Sequence, residues 1–99
     1  MGKQVKQIYY GNDDSVSFSL GSGSRHILLI ASSGALAESA IVFVSVTNAG
    51  AVAKGEAHKG DNITSIDTSV NNRVTINWNQ TGNRFYFDIP LAGDLMEKV

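Results

Sequence analysis

The sequence predicts an all-β protein, an antiparallel β-sandwich of jelly-roll-like type with about eight short strands. The main observation is a pair of apolar runs of strand length, residues 25–32 and 40–46, separated by small and polar residues. Both runs are rich in β-branched residues, which suit a pleated sheet better than a helix. Ten glycines and one proline suit many tight turns between short strands. Because both runs are almost continuously apolar, we expect two strands that are buried on both faces.

Length and composition indicate one small domain. The 99 residues suffice for a single core, which we expect to occupy about residues 5–90. Lys and Arg number 8 against 9 Asp and Glu, so a nucleic-acid partner is not expected. The chain has no cysteine, which excludes disulfides, thiol catalysis and cysteine-bound zinc. The sequence predicts neither membrane insertion nor a signal peptide, because no apolar run has the required length or position.

Two strands are predicted before the central pair. Residues 4–10 form the first, and a turn rich in Asn and Asp ends it. Residues 15–20 alternate between polar and apolar without a fault, which places three side chains toward a core. They are Val16, Phe18 and Leu20. We expect residues 21–24 to close a hairpin into the first central strand.

Four more strands are predicted after the central pair. Residues 51–57 are poor in bulky apolar groups and resemble an edge strand, where a lysine and a glycine are tolerated. Residues 62–67 form a short strand. Residues 73–78 and 85–89 are predicted to pair as a hairpin, joined by residues 79–83.

This last hairpin is expected to supply six large side chains to the core, each stabilising the fold by about 1.5–3 kcal/mol. They are Val74, Ile76, Trp78, Phe85, Phe87 and Ile89. Pro90 is expected to end the strand, because proline cannot donate to a sheet ladder. Residues 91–99 are then expected to be a loose C-terminal tail.

The connections divide into two ends if each strand reverses the direction of the one before. The longer connections then share one end: residues 11–14, 32–40, 58–62 and 79–83. Binding functions of β-sandwiches usually lie on loops that a rigid scaffold holds, so we expect a ligand at this end.

Four segments together resemble a known family of domains. They are Leu28-Leu-Ile-Ala-Ser, Ala40-Ile-Val-Phe-Val-Ser-Val, Asn72-Arg-Val-Thr-Ile-Asn and Phe85-Tyr-Phe-Asp-Ile. The pattern looks like the small β-sandwich domains at the ends of bacteriophage tail fibres and related receptor-binding proteins, over roughly residues 15–90. The resemblance implies a homotrimer in a virion tail fibre or at an extracellular surface, which attaches to a host-surface glycan or protein. It leaves open whether the chain is the distal domain of a longer fibre protein or a free-standing protein.

Six residues are candidate ligand contacts: Asp61, Asn62, Asn79, Gln80, Asn83 and Tyr86. Five of them lie in the loops of the expected binding end. Tyr86 has the opposite phase to Phe85 and Phe87, which predicts an exposed ring. With Tyr9 or Tyr10 it would line a groove or a subunit interface; the alternative is a cross-strand pair on the solvent face. Trp78 has the phase of core residues, so packing is favoured over stacking on a sugar.

No metal site, cofactor or catalytic group is predicted. We expect a structural His26 and a solvated His58, because their spacing does not require a shared metal. Acidic groups occur at residues 12–14, at 61–62 and at Glu38, but the regular spacing of a calcium loop is absent. Solvated turn residues are therefore favoured, and with no Gly-x-Ser-x-Gly elbow present the chain is not expected to be an enzyme.

Two alternatives to receptor binding remain open. One is a structural or assembly module of a virion or cell-surface fibre, whose apolar exterior joins subunits. Its sequence support is Ala35, Leu36 and Ala37, which suit a packed interface within a loop. The other is a monomeric carbohydrate-binding module.

Overall fold

The computed structural model describes residues 4–32 and 37–99, and over these residues the chain is the predicted antiparallel β-sandwich without a helix. Nine strands form in the described chain, against about eight expected. They are β1 (Lys6–Gly11), β2 (Ser15–Ser19), β3 (Arg25–Ser32), β4 (Ser39–Val46), β5 (Val52–Lys59), β6 (Ile63–Asp67), β7 (Arg73–Trp78), β8 (Arg84–Ala92) and β9 (Glu97–Lys98). Within the part of the chain that is described, no helix has the length and hydropathy needed to cross a membrane.

The strands form two sheets. The five-stranded sheet has the order β1-β8-β3-β4-β5, and the four-stranded sheet has the order β6-β7-β2-β9. β1 pairs with β8 in one sheet while β2 pairs with β7 in the other, which is the nesting of early and late strands expected of a jelly-roll-like chain. β5 lies at a sheet edge, as predicted from its few bulky apolar groups and from its lysine and glycine.

Two predicted hairpins are instead crossings between the sheets. Residues 21–24 lead from β2 to β3, and residues 79–83 lead from β7 to β8, yet each pair of strands is divided between the two sheets. Facing sheets lie about 10 Å apart, and four or five extended residues span that gap as easily as they close a hairpin. Loop length alone therefore did not distinguish the two connections.

The core lies between the sheets and takes alternate residues from each central strand. On the four-stranded sheet the prediction is confirmed: Val16, Phe18, Leu20, Val74, Ile76 and Trp78 are all buried. On the five-stranded sheet, β3 and β4 are buried on one face only, which contradicts the prediction of burial on both faces. Ile41 and Phe43 are 40% and 46% exposed on the second face.

The phase predicted for β8 is wrong by one residue. Phe85, Phe87 and Ile89 point away from the core, and the inward residues are Arg84, Tyr86, Asp88 and Pro90. The apolar content of the strand favoured the opposite face, because the inward positions are mostly polar. Arg84, Tyr86 and Asp88 are each hydrogen-bonded to a buried side chain, which offsets part of the cost of their burial, although Arg84 Nη1 has no hydrogen-bond partner among the described residues.

The C-terminal prediction is also wrong. β8 continues through Pro90 to Ala92, and β9 then pairs with β2 instead of forming a loose tail. Pro90 is tolerated because β1 begins at Lys6, opposite Asp88, so beyond Asp88 β8 has β3 as its neighbour and no longer β1. Met96 is 1% exposed and closes the core from this side.

Candidate functional site

The end of the sandwich that carries the longer connections, called here the polar end, is the first candidate site. It consists of residues 11–14, 60–62 and 79–83 together with Glu38. The backbone N–H of Asn79 donates to the backbone carbonyl oxygen of Asn62 at 2.9 Å, and the Thr81 hydroxyl donates to the Asp14 carboxylate at 3.2 Å. These contacts confirm that the connections share one end. Residues 33–36, with Ala35 and Leu36 of the predicted interface loop, lie outside the described residues.

A buried ion pair between Glu38 and Arg84 organises the polar end. Arg84 Nε donates to Glu38 Oε1 at 2.8 Å, and Nη2 donates to Oε2 at 3.3 Å. Glu38 Oε2 also accepts from the side-chain amides of Asn62 at 2.8 Å and Gln80 at 3.1 Å. Arg84 Nη2 donates in addition to the Gln80 carbonyl oxygen at 2.7 Å. The Glu38 carboxylate thus joins β8 to two connections, residues 60–62 and residues 79–83.

Aromatic residues complete the surroundings of Arg84. Its guanidinium carbon lies 3.7 Å from the centre of the Trp78 ring, a cation–π contact that is strong because it is shielded from water. The Trp78 indole N–H donates to the Tyr86 hydroxyl oxygen at 2.8 Å. Trp78 is therefore a core residue, as predicted, and Arg84 occupies a face of its ring that a sugar would need.

Two ionisable groups of this network have shifted pKa values. Burial raises the pKa of Glu38, but hydrogen bonds from Arg84, Gln80 and Asn62 outweigh burial and hold the pKa below its usual 4.5. Burial raises the pKa of Tyr86 from 10.0 to about 12, and the bond from Trp78 offsets this only in part. At neutral pH the network therefore contains a carboxylate and a neutral phenol, the forms that accept the hydrogen bonds of Arg84 and Trp78.

The six candidate contacts separate into three groups. Three side chains are exposed and make no hydrogen bond within the residues that the structure describes: Asp61, Asn79 and Asn83. Asn62 and Gln80 are half-buried, and their amides hold Glu38. Tyr86 is fully buried, so its predicted exposure was wrong and its ring cannot contact a ligand. Of the tyrosines proposed to line a groove with it, Tyr10 is exposed, and Tyr9 packs inward at 5.8 Å from the Tyr86 ring.

A chain of Ser, His and Asp side chains lies inside the sandwich. His26 Nδ1 is 2.9 Å from Asp88 Oδ2, and His26 Nε2 is 2.8 Å from Ser24 Oγ. The same residue types in this order form the catalytic triad of serine hydrolases. The positions of the protons decide whether this one can act in the same way.

The hydroxyl hydrogen of Ser24 is not directed at His26. Ser24 has one hydroxyl hydrogen, and it is donated to the Gly21 carbonyl oxygen at 2.6 Å, since a carbonyl only accepts. The hydroxyl therefore does not donate to His26 Nε2, which is the hydrogen bond that a nucleophilic serine makes to its general base.

The same three residues are sealed from solvent. Ser24 and His26 are each 1% exposed and Asp88 is fully buried. The backbone amide of Met96 donates to Asp88 Oδ2 at 2.9 Å and covers the carboxylate. The chain of hydrogen bonds joins β3, β8 and the C-terminal segment, so its role is structural, as expected for His26.

The second candidate site is the outer face, the surface of the five-stranded sheet that points away from the core. Its large apolar side chains are Tyr10, Ile27, Leu29, Ile41, Phe43, Phe85, Phe87 and Ile89. Leu29 lies directly opposite Ile41 on one side and Phe87 on the other. The Phe85 ring is 4.5 Å from Tyr10 and 6.3 Å from Phe87, measured between ring centres. These contacts form one continuous apolar surface across four strands.

Both sites are open surfaces. No pocket is present in residues 4–32 and 37–99. Nor do the described residues contain a group of three or more His, Asp or Glu side chains that could hold a metal ion. His26 faces the core, whereas His58 lies opposite Ile41 on the outer face, so the two rings cannot share a metal. The oxygens of Glu38 are occupied by Arg84 and by side-chain amides.

The chain matches no protein-family model, and comparisons with curated proteins and with solved structures found no similar protein. The resemblance to fibre-tip domains therefore stays a prediction. Function has to be inferred from the polar end and the outer face themselves.

Sequence reasoning missed the Glu38–Arg84 pair, the His26–Asp88 pair and the outer face. The two pairs join residues 46 and 62 positions apart, so a local pattern does not reveal them. The outer face did leave a signal, because β3, β4 and β8 carry apolar residues at consecutive positions. That signal predicted burial on both faces, whereas in the described chain the second face is half-buried or exposed.

Proposed function

We propose that this protein is a non-enzymatic attachment domain that binds a host-surface glycan or protein through its polar end. It acts as a homotrimer at the tip of a virion tail fibre or of a similar extracellular fibre. The observation that carries the proposal is that Asp61, Asn79 and Asn83 are exposed and unbonded in the described structure, on loops fixed by the buried Glu38–Arg84 pair. Loops of this kind, held by a rigid scaffold, are where β-sandwiches bind.

The chemistry of these side chains suits polar ligands. Asn79 and Asn83 each offer two donors and an acceptor, and Asp61 offers acceptors only, so together they match sugar hydroxyls or peptide groups. A surface without a pocket makes each contact weak. Three polar ends in one trimer would then attach through avidity, which raises the apparent affinity about 10²–10⁴-fold without any new contact.

The test compares two alanine variants in binding to host cells and to a glycan array. The first carries Asp61→Ala, Asn79→Ala and Asn83→Ala. The matched control carries Asn48→Ala and Asn71→Ala at the opposite end, where both side chains are exposed and make no hydrogen bond with described residues. Gln80 is left unchanged because its amide holds Glu38, so its loss would disturb the loop itself.

We expect the first variant to lose attachment by about tenfold or more, equivalent to roughly 1.4 kcal/mol, with an unchanged unfolding midpoint. The control is expected to attach like the parent protein. Undiminished attachment of the first variant, or equal losses in both, would contradict binding at the polar end.

A structural or assembly module of the same kind of fibre is the second candidate function. The observation that favours it is the outer face, whose apolar side chains could join subunits while the loops remain inert. A protein that forms stable oligomers but fails to bind cells or glycans would match this candidate and exclude the first.

A further inference from the structure

We infer that a second copy of this chain packs on the outer face. The inference rests on the self-association in the proposed function but not on the ligand. It assigns a surface to that association and leaves the polar end free at the edge of the assembly.

The first argument is the reversed polarity of β8. Arg84 and Asp88 point inward, while Phe85, Phe87 and Ile89 point outward. A sheet with one face in water normally turns its polar residues outward and its apolar residues inward. β8 has the opposite arrangement, which suits a strand whose outer face is covered.

The second argument is the absence of repelling charge. Among the described residues, the large side chains in the middle of the outer face are aliphatic or aromatic, and none of them is a carboxylate. Polar groups occur only at its margins, as Gln7 opposite Phe87, Arg25 opposite Ser45, and His58 opposite Ile41. An apolar centre with a polar margin is the anatomy of a protein–protein interface.

The third argument is the area of the apolar surface. Its four strands lie about 4.8 Å apart, and about five residues of each, rising about 3.4 Å per residue, give a face of roughly 19 by 17 Å. Two such faces have a projected area of about 650 Å², and side-chain relief raises the buried area toward the roughly 1,000 Å² that is the minimum expected of a specific interface.

The chemistry favours a second copy over a polysaccharide as the occupant. The rings of Tyr10, Phe85 and Phe87 could stack on sugars, but the central side chains beside them form no hydrogen bonds: Leu29 lies opposite Phe87 and Ile27 opposite Ile89. Gln7, also opposite Phe87, lies at the margin. A sugar needs partners for its hydroxyl groups, whereas another apolar sheet face does not. A second copy supplies such a face by symmetry.

Two glycines give a matched pair of variants. Gly55 lies on the outer face opposite Phe43, and a Cβ added there would meet only the Phe43 Cβ at 4.0 Å. Gly21 lies at the end opposite the polar end, and a Cβ added there would meet nothing within 4 Å. Neither glycine has a positive φ, so each position accepts a side chain without strain within one chain. Gly55→Glu places a charge on the outer face, and Gly21→Glu places the same charge away from it.

Sedimentation velocity and light scattering at micromolar concentrations test the inference on the parent protein, Gly55→Glu, Gly21→Glu and Phe43→Ser. We expect the parent protein and Gly21→Glu to be oligomers. Gly55→Glu and Phe43→Ser are expected to dissociate at concentrations at least tenfold higher than the parent does, with unchanged near-UV circular dichroism. A monomeric parent protein would overturn the inference, and so would a Gly55→Glu oligomer as stable as that of Gly21→Glu.

Two further results separate this inference from its alternatives. If the parent protein is a monomer whose binding to a polysaccharide is lost in Phe43→Ser, the outer face is a sugar site and the inference fails. If Gly55→Glu stays oligomeric while the polar-end variant loses attachment to cells, the outer face is not the interface but the proposed function stands. Conversely, if Gly55→Glu dissociates but the parent protein does not bind cells, the interface is supported and the proposed receptor binding is contradicted.

Discussion

Arg84 is a fully buried cation whose charge is balanced by one carboxylate. Its partner Glu38 is itself only 6% exposed, and the pair is bonded at two points. Removing one member of a buried pair leaves the other charge uncompensated in a low dielectric, which strongly destabilises the folded state. Replacing both members with apolar residues is much less costly. The polar end therefore depends on both residues together.

Replacing Glu38 with Gln should destabilise the protein by about 3–5 kcal/mol, because the shape is kept while Arg84 loses its counter-charge. Urea unfolding at neutral pH measures the change. Glu56→Gln is the matched control, since Glu56 pairs with Lys54 at the surface with more than a quarter of each side chain exposed. Surface pairs contribute about 0–1 kcal/mol, so equal losses in the two variants would show that Glu38 does not balance a buried charge.

The same carboxyl group predicts how stability depends on acid. The folded pKa of Glu38 lies below its usual 4.5, so its contribution is complete above that pH and is lost as the pH falls through the folded value. The difference in unfolding free energy between the parent protein and Glu38→Gln should therefore be constant from pH 7 to about pH 5 and shrink between about pH 5 and pH 3. The pKa of Asp67 is also lowered, by hydrogen bonds from Ser69, but Asp67 is present in both proteins, so its contribution cancels in the difference. A difference that stays constant over this range would contradict the lowered pKa of Glu38.

At the scale of the element, β2 and β8 show what a single sequence can and cannot predict. β2 alternates serines with Val16 and Phe18, and the serine hydroxyls bond polar groups of the neighbouring strands β7 and β9 on the outward face, so period and burial agree. β8 has apolar residues on one face and Arg84 and Asp88 on the other, and the charged face is the buried one. The partners of these charges come from β3 and from the connection before β4, so the correct phase depends on contacts that a local pattern does not contain.

The C-terminal segment shows the same limit in a short element. β9 has two residues, too few to give a period, and it is held by Met96 in the core and by the Met96 amide on Asp88. Its neighbour Leu95 looks equivalent in sequence but is 37% exposed. Only the pairing with β2 distinguishes the two side chains.

Met96→Ala should therefore destabilise the protein by about 2–5 kcal/mol, because the side chain leaves a cavity next to the buried Asp88. Leu95→Ala is the control and should cost well under half as much, since that side chain is already partly in water. Thermal or urea unfolding of the two variants gives the comparison. Similar losses would mean that the C-terminal segment is as loose as its sequence suggests.

For the whole molecule, the grouping of the connections was predictable although the strand order was not. Every pair of neighbouring strands within each sheet is antiparallel, and the contacts of Asn79 with Asn62 and of Thr81 with Asp14 bring the predicted connections together. The assumption of alternation therefore placed residues 11–14 and 79–83 correctly at one end. Which polar side chains of that end are available to a ligand was predictable only in part. The side-chain amides of Asn62 and Gln80 donate to the buried Glu38 carboxylate, and the loop sequences do not indicate that contact.

The outer face links the assembly of the molecule to its stability. A contact that exists only between folded chains stabilises them by mass action, by about 2.7 kcal/mol at a hundredfold excess over the dissociation constant. For a domain of this size, each kcal/mol shifts the melting temperature by about 4–8 °C. The melting temperature of the parent protein should therefore rise by roughly 10 °C or more over a hundredfold increase in concentration above the dissociation constant.

The melting temperature of Gly55→Glu should rise less over the same concentrations, because its dissociation constant is higher, and Gly21→Glu should follow the parent protein. Differential scanning calorimetry at matched concentrations makes the measurement, and reversibility on a second scan is required for the comparison. If neither the outer face nor any other surface makes a contact between copies, the melting temperature of all three proteins should not change with concentration. Parallel slopes in all three proteins would place the contact between copies somewhere other than the outer face, because only one of the two added charges lies on it.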